Sequence, residues 1–341
     1  MSLPAMASSD LHEVPPKAVT WKFYDDETGQ IHPHEPRERY IPGGFHPVAL
    51  GDAFKDGHYV VRHKLGYGGF STVWLASDEH HWNRKSAHRY VAIKIKSSSA
   101  SEMGIDADPE VLRLRMLEEH YLQGPQEAPR AHVQLLDSFS HEGPNGRHNC
   151  IVTELLGPSL ANISPSNIVF TCKSLLANED YNLLDLLSEH YVAKPYPDNP
   201  LPSPHLPRQL VQTAKWELWE DETIEDILLV DWGSAFPVHK TVTAESLAQP
   251  IDLRSPETFF VGRLDKSHDT WRVGCVIFKL FYQQSPFWVY NADTYWYLVR
   301  MIRKLGPLPE AWLPKFAETR KESENREEEG EQEQYHHPAV Q

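Results

Sequence analysis

The sequence predicts an α+β protein, a small β-rich part ahead of a mainly helical one, and three observations carry that reading. The runs "HYVVRHKLG", "STVWLAS" and "YVAIKIK" are short, rich in β-branched residues and separated by turn residues, as consecutive antiparallel strands are. "DPEVLRLRMLEEHYL" offers Asp108 as an N-cap, Pro109 at the first helical position, and Leu114, Leu117 and Tyr121 at helical spacing. "DTWRVGCVIFKLFY" places Val273, Val276, Ile277, Leu280 and Phe281 on one helical face, apolar enough for a central core helix.

In chain order, residues 1–39 are rich in Pro, Gly and charge and read as a flexible arm, with "IPGGFHP" marking a turn after it. Residues 40–156 hold the strands and the helix named above, closed by two further strand patterns, "VQLLDSF" and "NCIVTELL". Residues 157–316 form the second part. Within it, 171–228 is a spacer containing "KPYPDNPLPSPHLP", a connector unsuited to the inside of any element. "ILLVDWG" is a short buried strand ending in a turn, and "DTYWYLVRMIRKLGPLPEAWLPKF" supplies another helix. Residues 317–341, with "ETRKESENREEEGEQEQ", read as an acidic disordered tail that no core could bury.

At 341 residues and 40% hydrophobic composition, the chain can bury a sizeable core in one large or two medium domains. Its net charge of −15 argues against a nucleic-acid groove and favours basic partners. Apolar runs such as "GCVIF" fall far short of the roughly 20 residues of a membrane span. "MSLPAMASSDLHEVPPK" lacks the basic start and apolar core of a secretory signal, so an intracellular protein, in cytoplasm or nucleus, is expected, and a monomer. Cys150, Cys172 and Cys275 lie far apart and read as reduced thiols, and the 19 histidines show no zinc-ligand spacing.

Chemistry concentrates in a few stretches. "LGYGGFSTVWL" carries Gly66, Gly68 and Gly69 ahead of a strand; such glycines let backbone N–H groups approach a polyphosphate. A hairpin turn would explain them equally well, were it not for "VAIK" at 91–94. A lysine on a buried strand must be paired or must face an anion, and Glu110, in the first turn of the predicted helix, is the natural partner at 110 − 94 = 16 residues.

Together these motifs resemble the amino-terminal lobe of a protein kinase, and the resemblance continues along the chain. "IVTELLG" resembles the strand entering the hinge, with Thr153 at the gatekeeper position and the backbone around Glu154 and Leu156 facing the adenine. "NISPSNIVF" resembles the end of the catalytic loop, "VDWG" the DFG motif with Trp232 in place of Phe, "RSPE" the APE motif, and Asp269 the acid opening the central helix. More narrowly, "GFHPVALGDAFKDGHYVVRHKLGYGGFSTVWLA" and "DSFSHEGPNGRHNCIVTELLGPSL" are similar to fungal members of the SR-protein kinase family, which phosphorylate serines in Arg/Ser-rich proteins and split the kinase core with a variable insert. The resemblance implies a two-lobed kinase fold binding ATP and Mg2+. Gly66, Gly68, Gly69 and Ser71 would then cover the phosphates, Lys94 held by Glu110 would meet the α and β phosphates, and Asn167 and Asp231 would hold the metals.

Two departures stand out. The family's catalytic Asp falls five positions before the metal-binding Asn, and here that position, 167 − 5 = 162, is Asn162, whose amide oxygen is a poor base. Between Glu154 and Asn167 lie only 167 − 154 − 1 = 12 residues, too few for the long helix that the family packs under the catalytic loop, since 20 residues of helix span about 30 Å. "GPSLANI" and "NISPSNIVF" read as if spliced at a shared "NI", so a segment bearing the base is deleted rather than replaced. Three readings follow: a working Ser/Thr kinase, a non-catalytic scaffold for Arg/Ser-rich partners, or a truncated or mis-spliced product. The acidic run "ELWEDETIEDI" is either an attractor for arginine-rich segments or one solvated helix face.

Overall fold

The computed structural model describes residues 20–23, 33–80, 89–125, 127–159, 167–173, 176, 183–194, 204–217, 219, 225–237, 240, 242–244, 250–289 and 293–336. The chain divides into two compact units: residues 1–159 with 169–232, and residues 160–168 with 233–341.

The first unit begins with β1 (Thr20–Phe23) and continues into β2 (Ala53–Phe54), β3 (Tyr59–Tyr67), β4 (Ser71–Asp78), β5 (Tyr90–Lys96), β6 (Leu135–Gly143) and β7 (Gly146–Glu154). The last six form an antiparallel sheet in the order β2-β3-β4-β5-β7-β6. Its inner face is the β-branched and aromatic side chains that made the runs legible: Val61, Trp74, Val91, Ile93, Ile95, Cys150 and Val152 share one buried cluster. Between β5 and β6 lies α1 (Pro109–Gln123), begun by Asp108 as its N-cap and Pro109 at its first turn, as expected. Val111, Leu114, Val133 and Ile151 bury α1 against the sheet.

After the hinge, β8 (Leu156–Ser159) pairs with β9 (Ile168–Thr171), and β9 also pairs with β12 (Ile227–Leu229). Between β9 and β12 come α2 (Leu183–Leu186), β10 (Tyr191–Lys194) and β11 (Leu210–Val211). This stretch belongs to the first unit, whereas the sequence assigned it, as a spacer at 171–228, to the second part. The prolines at 195–207 mask apolar residues on either side. Leu183, Leu186 and Leu187 pack with Leu75, Tyr90 and Leu155, and Val192 and Val211 join the sheet's own cluster. His190 stacks on His63 with ring centroids 4.1 Å apart, and the Ala214 N–H donates to the Lys64 carbonyl at 2.8 Å.

The arm also differs from expectation. β1 pairs in parallel with β10, and residues 33–40 are docked rather than flexible. The buried Glu35 carboxylate meets the buried Lys64 ammonium of β3 and accepts from the Tyr40 hydroxyl, while Tyr40 packs edge-on against Phe45. Burial pushes the Lys64 ammonium down to about 7, and the Glu35 carboxylate is the group placed to offset that cost, which ties the arm to β3. Residues 1–19 and 24–32 lie outside the described residues.

In the second unit, β13 (Val242–Thr243) pairs with β14 (Arg263–Leu264), and the helices are α3 (Pro256–Phe260), α4 (Lys266–Tyr282), α5 (Thr294–Leu305) and α6 (Leu313–His336). Leu253, Cys275, Phe287, Tyr297, Leu298 and Met301 make its core. Glu257 is half-buried in α3, and Asp269 is exposed in the first turn of α4. α4 is not the core helix its periodicity predicts. Only His268 and Cys275 are buried, while Val273 is 57% and Phe281 80% exposed, because the unit's core lies on the Trp271 and Cys275 side and no described element covers the other. The expected disordered tail is helical through His336. Its Glu, Lys, Arg and Gln are good helix formers, Arg320 and Glu324 pair at 2.8 Å one turn apart, and Ser323 and Arg326 reach Asp293, the N-cap of α5, at 3.2 and 3.3 Å.

Three histidines meet where the arm crosses the β6–β7 hairpin: His46 lies 4.6 Å from His141 and 5.0 Å from His148 between ring centroids. Burial, then the two neighbouring rings, lowers His46 to about 3, and burial lowers the other two. An unfolded chain takes up protons below about pH 6.5 that these folded groups refuse, so stability falls as pH falls. His46 alone should contribute a loss of about 2 kcal/mol between pH 7.5 and 5, above the range where carboxylates titrate. Urea unfolding at pH 7.5 and 5.0 measures the loss, and it should shrink in His46→Leu.

Candidate active site

Lys94 sits in β5 opposite Val73 of β4 and Ile151 of β7. Its ammonium donates to both Glu110 oxygens, at 2.8 and 2.9 Å, and to Asp231 Oδ1 at 2.9 Å. Burial works to depress this ammonium, but the Glu110 and Asp231 carboxylates outweigh it and hold its pKa above the ordinary value. The pairing with Glu110 is the one expected from sequence, and Asp231 joins the same lysine.

What holds Glu110 in place is Asp108, which the sequence showed only as a helix cap. Its buried carboxylate accepts from the Glu110 N–H at 3.0 Å, from Lys96 Nζ at 2.8 Å and from Asn149 Nδ2 at 2.9 Å. Burial opposes the charge, yet these donors hold the acid below its usual range. α1 is therefore tied to β5 and β7 at the turn that carries Glu110. Asp231 follows β12 with φ of 61°, a left-handed conformation that Asp tolerates better than most residues. The next residue, Trp232, donates its indole N–H to the Leu229 carbonyl at 2.9 Å and packs against the α1 cluster of Val111 and Leu114. One apolar cluster thus orients both carboxylates around Lys94.

The glycine-rich turn joins β3 to β4, and the Gly68 N–H donates to the Ser71 carbonyl at 2.8 Å. A methyl group built on Gly66, Gly68 or Gly69 would meet no atom within 4 Å, so nothing in the protein requires glycine there; the open space suits a close-lying ligand. Ser71 is buried at the start of β4, so its carbonyl closes the turn while its side chain points away from solvent. Glu154 ends β7, its carboxylate accepting from the Gln134 N–H at 2.8 Å, and Leu156 pairs with Thr171. Asn167 immediately precedes β9. Asn162 and residues 220–224 of the acidic run lie outside the described residues, whereas Glu225 is engaged locally, accepting from the Thr171 hydroxyl and the Lys173 N–H. Among the described residues, no group of three or more His, Cys, Asp or Glu is arranged to hold a metal by itself.

The serine/threonine-protein kinase SRPK of Physarum polycephalum is 30% identical over an alignment covering 84% of this chain and 76% of that one. The chain belongs to the SR-protein kinase family. Protein kinase dsk1 of Schizosaccharomyces pombe is 40% identical over 134 residues, 39% of this chain and 23% of its own, and human SRSF protein kinase 3 is 39% identical over 138 residues, 40% and 21%. The chain thus spans about three quarters of the first relative and under a quarter of the other two. A kinase domain of known crystal structure superposes with a TM-score of 0.49 and 18% identity, covering 81% and 78% of the two chains. No family model matches the sequence.

For an SR-protein kinase relative, the Lys94 cluster is the part of the site most exposed to damage through its supports. Asp108→Ala should cost about 2–4 kcal/mol in urea unfolding, through loss of the cap and of the partner to Lys96. Asp108→Asn, which keeps an acceptor for the Glu110 N–H, should cost about half as much.

Proposed function

We propose that this chain binds ATP with magnesium in the manner of an SR-protein kinase, with Ser/Thr phosphorylation of Arg/Ser-rich proteins as its ancestral reaction and transfer strongly impaired. The observation that supports nucleotide binding is the Lys94 ammonium fixed by Glu110 beside an open glycine turn, with Asp231 at its other side. A cation held between carboxylates in a largely buried setting is pre-positioned for phosphate oxygens. Asp231, 56% exposed at its side chain, has oxygen left to offer a magnesium ion, and Asn167 retains the residue type for a second ligand. Magnesium, when bound, supplies positive charge against the phosphates. Thr153, Glu154 and Leu156 line the hinge for the adenine.

Impairment rests on Asn162, which can orient a hydroxyl but not take its proton, and on the 12 residues between Glu154 and Asn167. The same two features favour, as a second reading, a nucleotide-binding scaffold without transfer. General-base assistance alone is worth about 10² to 10⁴ in rate.

MgATP at about 100 times its Kd should stabilise the protein by roughly 2.7 kcal/mol, seen as a thermal shift that Lys94→Met abolishes. No shift in the unaltered chain would remove the nucleotide reading. For transfer, incorporation of phosphate into an Arg/Ser peptide should run at least about 10²-fold below the 1–100 s⁻¹ of active kinases. Asn162→Asp should raise it by less than about tenfold, because the 12 residues between Glu154 and Asn167 leave no room for a supporting helix. Full restoration by that one change would show that only the base is missing.

A further inference from the structure

Among the described residues, the docked arm reaches the glycine turn through Arg39. The Arg39 guanidinium donates to the Gly69 carbonyl, 30 residues away, in the middle of the turn assigned above to the phosphates. We propose that Arg39 is a positioning residue, and that the arm is a strap setting the height and rigidity of the glycine turn over the nucleotide site. This rests on the nucleotide reading for its purpose but not for its geometry.

Arg39 is exposed, yet it has two further ties. Its guanidinium carbon lies 5.1 Å from the centroid of the buried Phe45 ring, and its carbonyl accepts from the Phe45 N–H at 2.8 Å. A side chain on Gly44 would strike the Arg39 carbonyl, with a built methyl only 2.0 Å from it, so the bend that brings Arg39 back over the sheet requires glycine. The strap is fastened on both sides of the turn. On one side Glu35 and Tyr40 anchor it to Lys64, two residues before Gly66. On the other, the Ser98 and Ser99 N–H groups donate to the Gly44 and Gly43 carbonyls at 3.0 and 2.8 Å, just beyond the end of β5 that carries Lys94. The Phe70 carbonyl accepts from Ser97 N–H at 2.8 Å, which fixes the far end of the turn. Gly69 is the point these backbone ties leave to a side chain. A charged donor to a carbonyl is stronger than a neutral one and removes one lone pair from solvent, so it damps motion at the tip.

Hydrogen exchange of residues 67–71 in the nucleotide-free protein tests the strap directly. Arg39→Ala should speed exchange there by about 3- to 10-fold, the worth of one net hydrogen bond, with exchange in β6 and β7 and the melting temperature unchanged. Arg39→Lys, which keeps the charge but loses the planar fork, should fall between. MgATP affinity, read by thermal shift, should weaken in the same order. Unchanged exchange in Arg39→Ala overturns the strap. Faster exchange with unaltered affinity overturns its positioning role, as does full recovery of affinity by Lys without recovery of protection, which would assign Arg39 to charge alone. If the unaltered protein binds no MgATP, the nucleotide reading fails separately, and the exchange result still decides whether the strap exists.

Discussion

Lys94 stands between two carboxylates, and most of the first unit can be read as the apparatus that keeps it there. A lysine in the middle of a sheet costs burial of a charge, which Glu110 and Asp231 offset only if they arrive from separate elements at hydrogen-bond distance. Glu110 arrives because Asp108 fastens the first turn of α1 to Lys96 and Asn149. Asp231 arrives because a left-handed residue turns the chain after β12 and Trp232 drops into the apolar cluster of α1. Shifting the helix would therefore disturb both acids together. The coupling is an outcome of shared packing, not of a contact between Glu110 and Asp231.

Local signals carried much of this arrangement in the sequence. The β-branched runs, the Asp-Pro helix start and the 16-residue step from Lys94 to Glu110 needed only period, cap and charge pairing. Long-range packing was less legible. In the 171–228 stretch, prolines drew attention to a connector, while the flanking Leu183, Leu187, Val192 and Val211 gave no sign of which sheet they would join. The arm's docking depends on Glu35 meeting Lys64, a pair no spacing rule suggests. The acidic run after 316 is compatible in composition with both a disordered tail and a solvated helix, and contacts with Asp293 favour the helix.

α4 shows a different limit. Periodicity identified its apolar face correctly, since Val273, Ile277, Leu280 and Phe281 do share one side, but a face says nothing about its cover. Among the described residues no element lies over it. Separately, the spacing leaves no room for a long helix between Glu154 and Asn167, and among the described residues the apolar face of α4 has no cover.

The short interval between Glu154 and Asn167 bears unequally on binding and on chemistry. The polyphosphate binding proposed above would use Lys94, Glu110, Asp231 and the glycine turn, all within a unit whose sheet and α1 are packed and capped. Transferring a phosphoryl group demands more, because the acceptor hydroxyl must be held in line, and an error near 1 Å can cost about 10² in rate. In the function proposed above that task falls to the segment before Asn167, where position 162 is Asn and the 12 residues after Glu154 leave no room for a long helix. A protein can lose the second capacity and keep the first, since the Lys94 cation is held by Glu110 and Asp231, all three within the first unit. Nucleotide affinity without efficient transfer, as proposed above, asks of the fold only the first of these two demands.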